Sequence, residues 1–460
     1  MNFNLKRRAY ERLPVALKRV IGLVPFAWLA GPAYRRRMRR VAWLDRASRA
    51  ELRAFQDAEL KRTLEFAADQ VPAYQRLRST VSRLGGFEAL KAFPIVDKET
   101  LQSKLPDYLP RDLEQIPHYQ VTTGGTSGNQ LSFYVDNDSQ AIEMAFMHRL
   151  WRRVGYLPRH RKATFRGVEF GDVGSGRYWQ PNPVYNELQM SPYHLNETSL
   201  PAYIQEMASF RPMYLHGYPS ALVIVARYLA RHPEAGKDLD LRAALLSSEA
   251  VYPDQREVIE QAFRCRAFSW YGHSERIILA GECEQSTAYH VFPDYGIAEL
   301  LDETGELVDE PGGRGELVGT GLFNRSMPLV RYRTGDFARK LDERCECGRH
   351  WDRFDEVEGR WLQEYVIGRH GSRISPAALN MHGKLFDHVL RYQYVQDRPG
   401  IVELHVMHDS RFSVAEEQAL LAAFRRKLGD ELEFEIRRVA NIPLTSRGKL
   451  RRLIQNLPEA

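Results

Sequence analysis

Between residues 139 and 275 short apolar runs alternate with longer amphipathic ones, and this alternation constrains the chain more than any other feature. SQAIEMAFMHRLWRRVGY (residues 139 to 156) has helical spacing, after which ATFRGVEF reads as strand, SLPAYIQEMASF as helix, MYLHGY as a short strand and PSALVIVARYLARH as helix. RAALLSSEA is an apolar run that ends in small polar residues. A helix follows from Tyr252 to Phe263, and AFSWYGHSE runs from a strand into a polar loop. Such a pattern predicts an α/β domain with a largely parallel sheet. In sheets of this kind ligands sit beyond the carboxyl ends of the strands, which is where the SSEA and YGHSE loops fall.

The flanks have a different character. LRAFQDAELKRTLEFAADQ, with its apolar spacing of three and four, extends a predicted helical region over residues 45 to 80. GIAELLDETGELVDEPGGRGELVGTGL, within residues 296 to 340, alternates β-rich runs with Gly/Asp/Pro turns and predicts antiparallel strands. From about residue 362 the last hundred residues have the size of a separate small domain, read as strand, loop, helix, strand, helix (VAEEQALLAAFRRKLG) and strand. The expected division is therefore a helical region 1–84, a large domain 85–361 with a β-rich subdomain at about 290–350, and a C-terminal domain 362–460.

Length and composition agree with this division. At 460 residues the chain exceeds what one core usually supports, and 43% hydrophobic with 27% charged residues excludes disorder and fibre. A formal charge of +6 suits a protein that handles anions such as nucleotides, and no nucleic-acid partner is expected. Four cysteines, at 265, 283, 345 and 347, favour a reducing compartment, read as the cytoplasm, over a disulfide framework. VIGLVPFAWLAGPAY (residues 20 to 34) is apolar and is followed by RRRMRR (residues 35 to 40). With two prolines, and short of the roughly 20 apolar residues a span needs, it is read as a helix packed on the body. A peripheral contact of this basic N-terminus with anionic lipid is the alternative.

Residues 122 to 128, TTGGTSG, cannot be helical, because glycine is costly there and Ser/Thr hydroxyls compete for the backbone. The segment exposes backbone N–H groups and hydroxyls, which suits phosphate. It lacks GxxxxGK[ST], which disfavours a P-loop NTPase. SSEA at 247 to 250, YGHSE at 271 to 275, RYRTGD at 331 to 336, EGR at 358 to 360 and PLTSRGK at 443 to 449 follow in order. Together the six clusters resemble the adenylate-forming superfamily and, within it, the phenylacetate–CoA ligase-like branch with its capsular-biosynthesis relatives. The resemblance spans the chain from about residue 85.

That resemblance implies an α/β large domain of mostly parallel sheets with a β-rich subdomain, and a small mobile α+β C-terminal domain. It also implies roles. Thr123, Gly124, Gly125, Thr126, Ser127 and Gly128 would cradle the phosphates of ATP, although Gly124 replaces a usual serine and Gln130 a usual proline. Ser248, Glu249 and Ala250 would border the adenine, with Tyr271, Gly272, His273 and Ser274 flanking the adenine and acyl pocket. Glu275 would hold Mg²⁺, a hard ion that takes oxygen ligands. Asp336 would bind the ribose hydroxyls, Arg360 would lie near phosphate or ribose, and Lys449 would stabilise the adenylation transition state. Individually, Asp336 also reads as a turn residue, Glu275 as a helix-terminal charge and Lys449 as one of several tail cations. Leu362 stands at the usual acidic or lysine hinge, and GSRISPAA carries Ala378 where a glutamate is usual.

Cys283, His290, Cys345 and Cys347 offer three thiols and an imidazole, a tetrahedral Zn²⁺ set. The alternative is three buried cysteines and a core histidine, while Cys265 lies apart as a core residue. The expected activity is adenylation of a carboxylic acid with loss of pyrophosphate, then acyl transfer to coenzyme A. Transfer to a carrier-protein thiol, or to an amine or hydroxyl of a sugar or natural product, is the alternative. A catalytically silent scaffold is disfavoured by Glu275, Asp336 and Lys449 all being present. Tyr214, His216, Gly217 and Tyr218 in MYLHGYPS are candidates to line a pocket for an aryl acid.

Overall fold

The computed structural model describes residues 9–10, 12–122, 131–167, 178–342, 344–359, 365–374, 379, 384–445 and 448–457. By internal packing the chain forms two compact units: Met1–Arg159 with Pro183–Asn186 and Phe268–Glu358, and His160–Asn182 with Glu187–Ala267 and Gly359–Ala460.

The first unit begins helical. The long helix Arg49–Gln70 starts at a capping box in which Ser48 and Glu51 satisfy each other's backbone N–H groups. The predicted helical region breaks after Gln70 because Pro72 cannot follow a helical residue, and it resumes as the 3₁₀ turn Pro72–Leu77 and the helix Arg78–Arg83. Strands β1 (His118–Thr122) and β2 (Ser132–Asp136) then pair antiparallel, from His118 opposite Asp136 to Thr122 opposite Ser132. The glycine-rich segment is the connection of this hairpin, and residues 123–130 lie outside the described residues.

The second unit opens with β3 (Lys162–Phe165), β4 (Trp179–Asn182), β5 (Glu187–Met190), β6 (Tyr214–Gly217) and β7 (Ala243–Leu246). Their order is β7-β6-β3-β5-β4, parallel except for the antiparallel β4. Every residue of β3, β6 and β7 is buried, as expected of strands covered by helices on both faces. The helices Leu200–Phe210, Pro219–Arg231 and Pro253–Phe263 each carry proline in the first turn, where its missing N–H costs nothing. Leu215, Leu222, Ile224, Leu246 and Ile259 form the centre of this core.

Back in the first unit, β8 (Arg266–Gly272), β9 (Leu279–Gly281), β10 (Tyr289–Val291), β11 (Gly296–Leu301), β12 (Arg314–Gly321), β13 (Tyr332–Lys340) and β14 (Arg353–Glu358) are all antiparallel. The order β8-β9-β10-β14-β13-β12-β11 shows that the predicted antiparallel region reaches back to Trp270 and forward to Glu358. Its inner face packs on the N-terminal helices through Leu60, Leu64, Phe93, Ile278, Leu317 and Tyr332.

The C-terminal part of the second unit holds β15 (Val366–Ile367), β16 (Arg373–Ile374), β17 (Val389–Arg398), β18 (Ile401–His408), β19 (Glu433–Arg438) and β20 (Leu453–Gln455). The four-stranded sheet runs β19-β18-β17-β20, and the capped helix Val414–Leu428 packs on it through Leu420 and Phe424. β17 and β18 form a long antiparallel pair joined by Gly400 with φ +78°. Among the described residues no helix is long and apolar enough to cross a membrane.

Candidate active site and metal centre

In the first unit β8 carries Tyr271 to its carboxyl end and then turns sharply through His273–Arg276. Glu275 is 3% exposed there and accepts a hydrogen bond from the Tyr332 hydroxyl at 3.3 Å. The Tyr271 hydroxyl donates to Asp336 Oδ2 at 2.7 Å. Burial, then the adjacent Asp336 carboxylate, pushes the Tyr271 phenol well above its ordinary range, so it remains a donor. Asp336 owes its position to an irregularity in β13. Gly335 takes φ +74°, a left-handed conformation suited to glycine, and the register with β14 shifts between Phe337 and Arg339. The Thr334 hydroxyl donates to the Leu317 carbonyl at 2.7 Å and accepts from Asp336 N at 3.0 Å, while Gly335 N donates to Glu316. Tyr271 with Asp336 and Tyr332 with Glu275 thus form two hydroxyl–carboxylate pairs, with the Glu275 charge acting on the Tyr271 phenol. Tyr332 escapes sequence inspection because only the fold brings it under Glu275.

A second polar cluster lies at the strand ends of the other unit. Ser248 follows β7 with φ +68°, rare for a residue with a side chain, and its Oγ accepts from Arg166 Nη2 at 3.0 Å. Arg166 Nη1 donates to His216 Nε2 at 3.3 Å, and its guanidinium lies 5.5 Å from the Tyr218 ring. Burial, then the Arg166 and Lys162 charges, holds His216 well below the ordinary imidazole range, which keeps Nε2 an acceptor. Arg166 was not among the residues singled out in the sequence, although it follows β3 as SSEA follows β7. Tyr214 begins β6 at the opposite end of the strand, stacked on His160 at 5.8 Å, so it does not join the cluster.

Glu249 takes an unexpected set of partners. Its Oε2 accepts from Ser220 N at 3.0 Å and its Oε1 from Ser220 Oγ at 3.0 Å, in the first turn of Pro219–Arg231, where a negative charge is favoured. The same Oε1 accepts from Leu450 N at 3.3 Å. Leu450 ends a tight turn closed by Gly448 N to Thr445 O at 2.8 Å and Thr445 N to Lys449 O at 2.9 Å, with Gly448 at φ +75°. A Cβ on Gly448 would come within 2.9 Å of the Gly167 Cα, so glycine is required where this turn meets the loop after β3. The turn that carries Lys449 is therefore seated on the loops that follow β3 and β7. Arg391 on β17 adds a hydrogen bond to the Pro192 carbonyl, and Arg227 adds one to Val389 O. Thr123 to Gly128 and Arg360 lie outside the described residues.

Cys283, His290, Cys345 and Cys347 converge in the first unit, with all four donor atoms within 4.8 Å of one another. Cys283 Sγ is 3.7 Å from Cys345 Sγ, and Cys347 Sγ is 3.4 Å from His290 Nε2. Tetrahedral Zn–S bonds of about 2.3 Å would set sulfurs roughly 3.8 Å apart, so the spacing fits. His290 Nδ1 donates to the Ala288 carbonyl at 3.2 Å, which leaves Nε2 facing the sulfurs. Burial lowers the basicity of His290, and Cys347 is held far below the usual thiol range by Cys283 first and His290 next. The Cys283 thiol moves the opposite way, pushed up by Cys347 and then by burial, so the pair shares a proton that a bound metal would displace. Cys265 is separate and half-buried, its thiol pushed up to about 12 by burial.

The family described as the CapK C-terminal domain matches residues 366–456. A phenylacetate–coenzyme A ligase of Thermus thermophilus is 27% identical over 372 residues, covering 78% of this chain and 81% of the relative. The CapK protein of Staphylococcus aureus is 22% identical over 382 residues, covering 80% of each. A solved 2-hydroxyisobutyryl-CoA ligase in its postadenylation state aligns with a TM-score of 0.67 at 19% identity, over 87% of this chain and 89% of that one. Motif order, fold and relatives point the same way: over most of its length the chain is similar to the phenylacetate–CoA ligase-like branch of the adenylate-forming superfamily.

Proposed function

We propose that the protein is an AMP-forming acid–thiol ligase. A substrate carboxylate oxygen attacks the α-phosphorus of ATP and pyrophosphate leaves. The thiol of coenzyme A then attacks the acyl carbon, losing its proton, and AMP leaves. The observation that carries this reading is the seating of the Lys449 turn on the loops after β3 and β7, through Gly448 against Gly167 and Leu450 N on Glu249. A cation delivered there can offset the charge that develops at the α-phosphate. The ligases named among the relatives, including one solved with an acyl-adenylate and CoA, support the same two-step chemistry.

In this reading the hairpin loop Thr123–Gly128 cradles the β- and γ-phosphates, and Asp336 receives the ribose hydroxyls beside Tyr271. Gly272 to Ser274 flank the adenine and acyl pocket, Ser248 to Ala250 border the adenine, and Arg360 lies near phosphate or ribose. Mg²⁺ bound at Glu275 would supply charge neutralisation to the leaving pyrophosphate. The domain division at about residue 361 follows the same reading, with 362–460 delivering Lys449. Zn²⁺ held by Cys283, His290, Cys345 and Cys347 pins the strand pair β9–β10 to the segment before β14, a structural role. Cys265 takes no part, and the reaction belongs to the cytoplasm, where ATP and CoA are available.

The test is a panel of aryl and aliphatic acids in a pyrophosphate-release assay with ATP and Mg²⁺, followed by thiol competition among CoA, pantetheine and a carrier protein. Release of ADP and phosphate would overturn adenylation, and a carrier protein that outcompetes CoA would replace the acceptor.

A further inference from the structure

Charge and apolar exposure coincide at the N-terminus. Residues 1–44 hold eleven Lys/Arg and a single acidic residue, Glu11, whereas the whole chain is only +6, so the remainder is net negative. Arg37 and Arg40 are engaged with Asp294 and Glu59. Among the described residues no acidic side chain pairs with Arg12, Arg19, Arg36 or Arg39.

The same segment exposes Leu17, Val20, Leu23 (84%), Val24 and Trp28 (72%), five of the large hydrophobics most exposed in the described chain, within a dozen residues. This is not the core face of an undocked helix. The inward side of the segment has its own contacts: Phe26, Ala30, Ala33 and Tyr34 pack with Ala141 and Ala145, and Tyr34 hydrogen-bonds to His148 at 2.9 Å. A Cβ on Gly22 would meet the Pro183 carbonyl at 3.0 Å, so the helix Val15–Gly22 also lies close on the body. The apolar row is left pointing outward by a segment that is already fixed. Arg35 lies over the Trp28 ring at 5.3 Å, which sets an indole and a guanidinium side by side at the edge of the row.

From this juxtaposition we infer that residues 17–39 form a docking surface for an anionic lipid bilayer. Leu17, Val20, Leu23, Val24 and Trp28 enter the headgroup–acyl boundary, and Arg19, Arg36 and Arg39 face the anionic headgroups. The run is too short to span and no described helix can, so the mode is interfacial. A second copy of the chain is disfavoured as the occupant, because a symmetric contact would bring two strongly basic segments together. Docking here would hold the ligase at a membrane surface, beside lipid-borne or membrane-assembled acceptors and products.

The test uses the full chain, sedimented with vesicles of pure phosphatidylcholine and of equimolar phosphatidylcholine and phosphatidylglycerol. Binding at least tenfold stronger to the anionic vesicles is expected, and it should weaken as salt shortens the screening length. Each basic residue near such a surface contributes roughly fivefold, so Arg36→Glu with Arg39→Glu should lower the partition by more than about tenfold. Leu23→Ser with Trp28→Ser should lower it as well, with pyrophosphate release and thermal unfolding unchanged, since both side chains are exposed. Equal binding to the two vesicles, or binding to neither, overturns the inference. So does a wild-type dimer in sedimentation velocity that Leu23→Ser with Trp28→Ser dissociates, which would assign the face to a second copy. Should the variants fold poorly, the two-vesicle comparison on wild-type protein still decides.

Discussion

Replacing Glu249 by alanine should slow adenylation and spare thiol transfer. The carboxylate joins the first turn of Pro219–Arg231, through Ser220 N and Oγ at 3.0 Å each, to the Lys449 turn, through Leu450 N at 3.3 Å. Hydrogen bonds to a charged group contribute about 1.5–3 kcal/mol. The Leu450 bond is long and Glu249 is half-buried, so the low end, about 1.5 kcal/mol, is the better figure for seating the turn. The Glu249 charge also acts on two deeply buried cations, Arg391 and Arg452, and favours the charged form of each. A loss of about 1.5 kcal/mol in seating corresponds to roughly tenfold in kcat for pyrophosphate release. Supplying preformed acyl-adenylate and CoA isolates the second half-reaction, which should change little because it does not need the turn in this place. Ser220→Ala keeps the Leu450 bond and should stay close to wild type. Lys449→Ala removes the cation itself and should cost on the order of 10²-fold in the first half-reaction alone. Equal losses in both half-reactions for Glu249→Ala, or no loss in either, would refute the coupling between this carboxylate and the position of Lys449.

Other perturbations test separate parts of the molecule. Metal analysis of protein never exposed to chelator should give about one zinc per chain, and Cys345→Ser with Cys347→Ser should lose it and unfold at lower temperature, because metal binding and folding are coupled in such sites; retention of zinc would dismiss the ligand set. Glu275→Gln keeps the shape beside Tyr332 but loses the charge, so the Mg²⁺ concentration needed for half-maximal pyrophosphate release should rise at least severalfold; an unchanged Mg²⁺ dependence would remove Glu275 from the metal site. His216 is held neutral in the folded state, with its pKa well below the unfolded value of about 6.5. The unfolded chain therefore binds the extra proton first, and stability should fall as pH drops below about 6.5. Denaturant titrations of His216→Gln should lose less stability than wild type over that window, and identical slopes would contradict the burial argument.

The sequence by itself determined the local elements and singled out the candidate site residues. Short apolar runs alternating with amphipathic ones gave the strands β3, β6 and β7 and the helices between them, because a continuous apolar run and a spacing of three to four are properties of neighbouring residues. The ordered motifs gave Tyr271, Glu275, Asp336 and Lys449, and the Cys/His spacing gave four donors that the fold brings within 4.8 Å. Only the tertiary structure decided what those groups touch. Glu249 meets Ser220 and Leu450, residues 29 before and 201 after it, and Tyr332 meets Glu275 across 57 positions. Arg166 becomes part of the strand-end cluster through Ser248, 82 residues further on. The extent of the antiparallel sheet, and the outward turn of Leu23 and Trp28 beside the inward turn of Phe26, were decided in the same way. Local periodicity records which face a residue takes within its own element. It holds no term for which distant element will cover that face, and the partner is chosen only when the whole core packs.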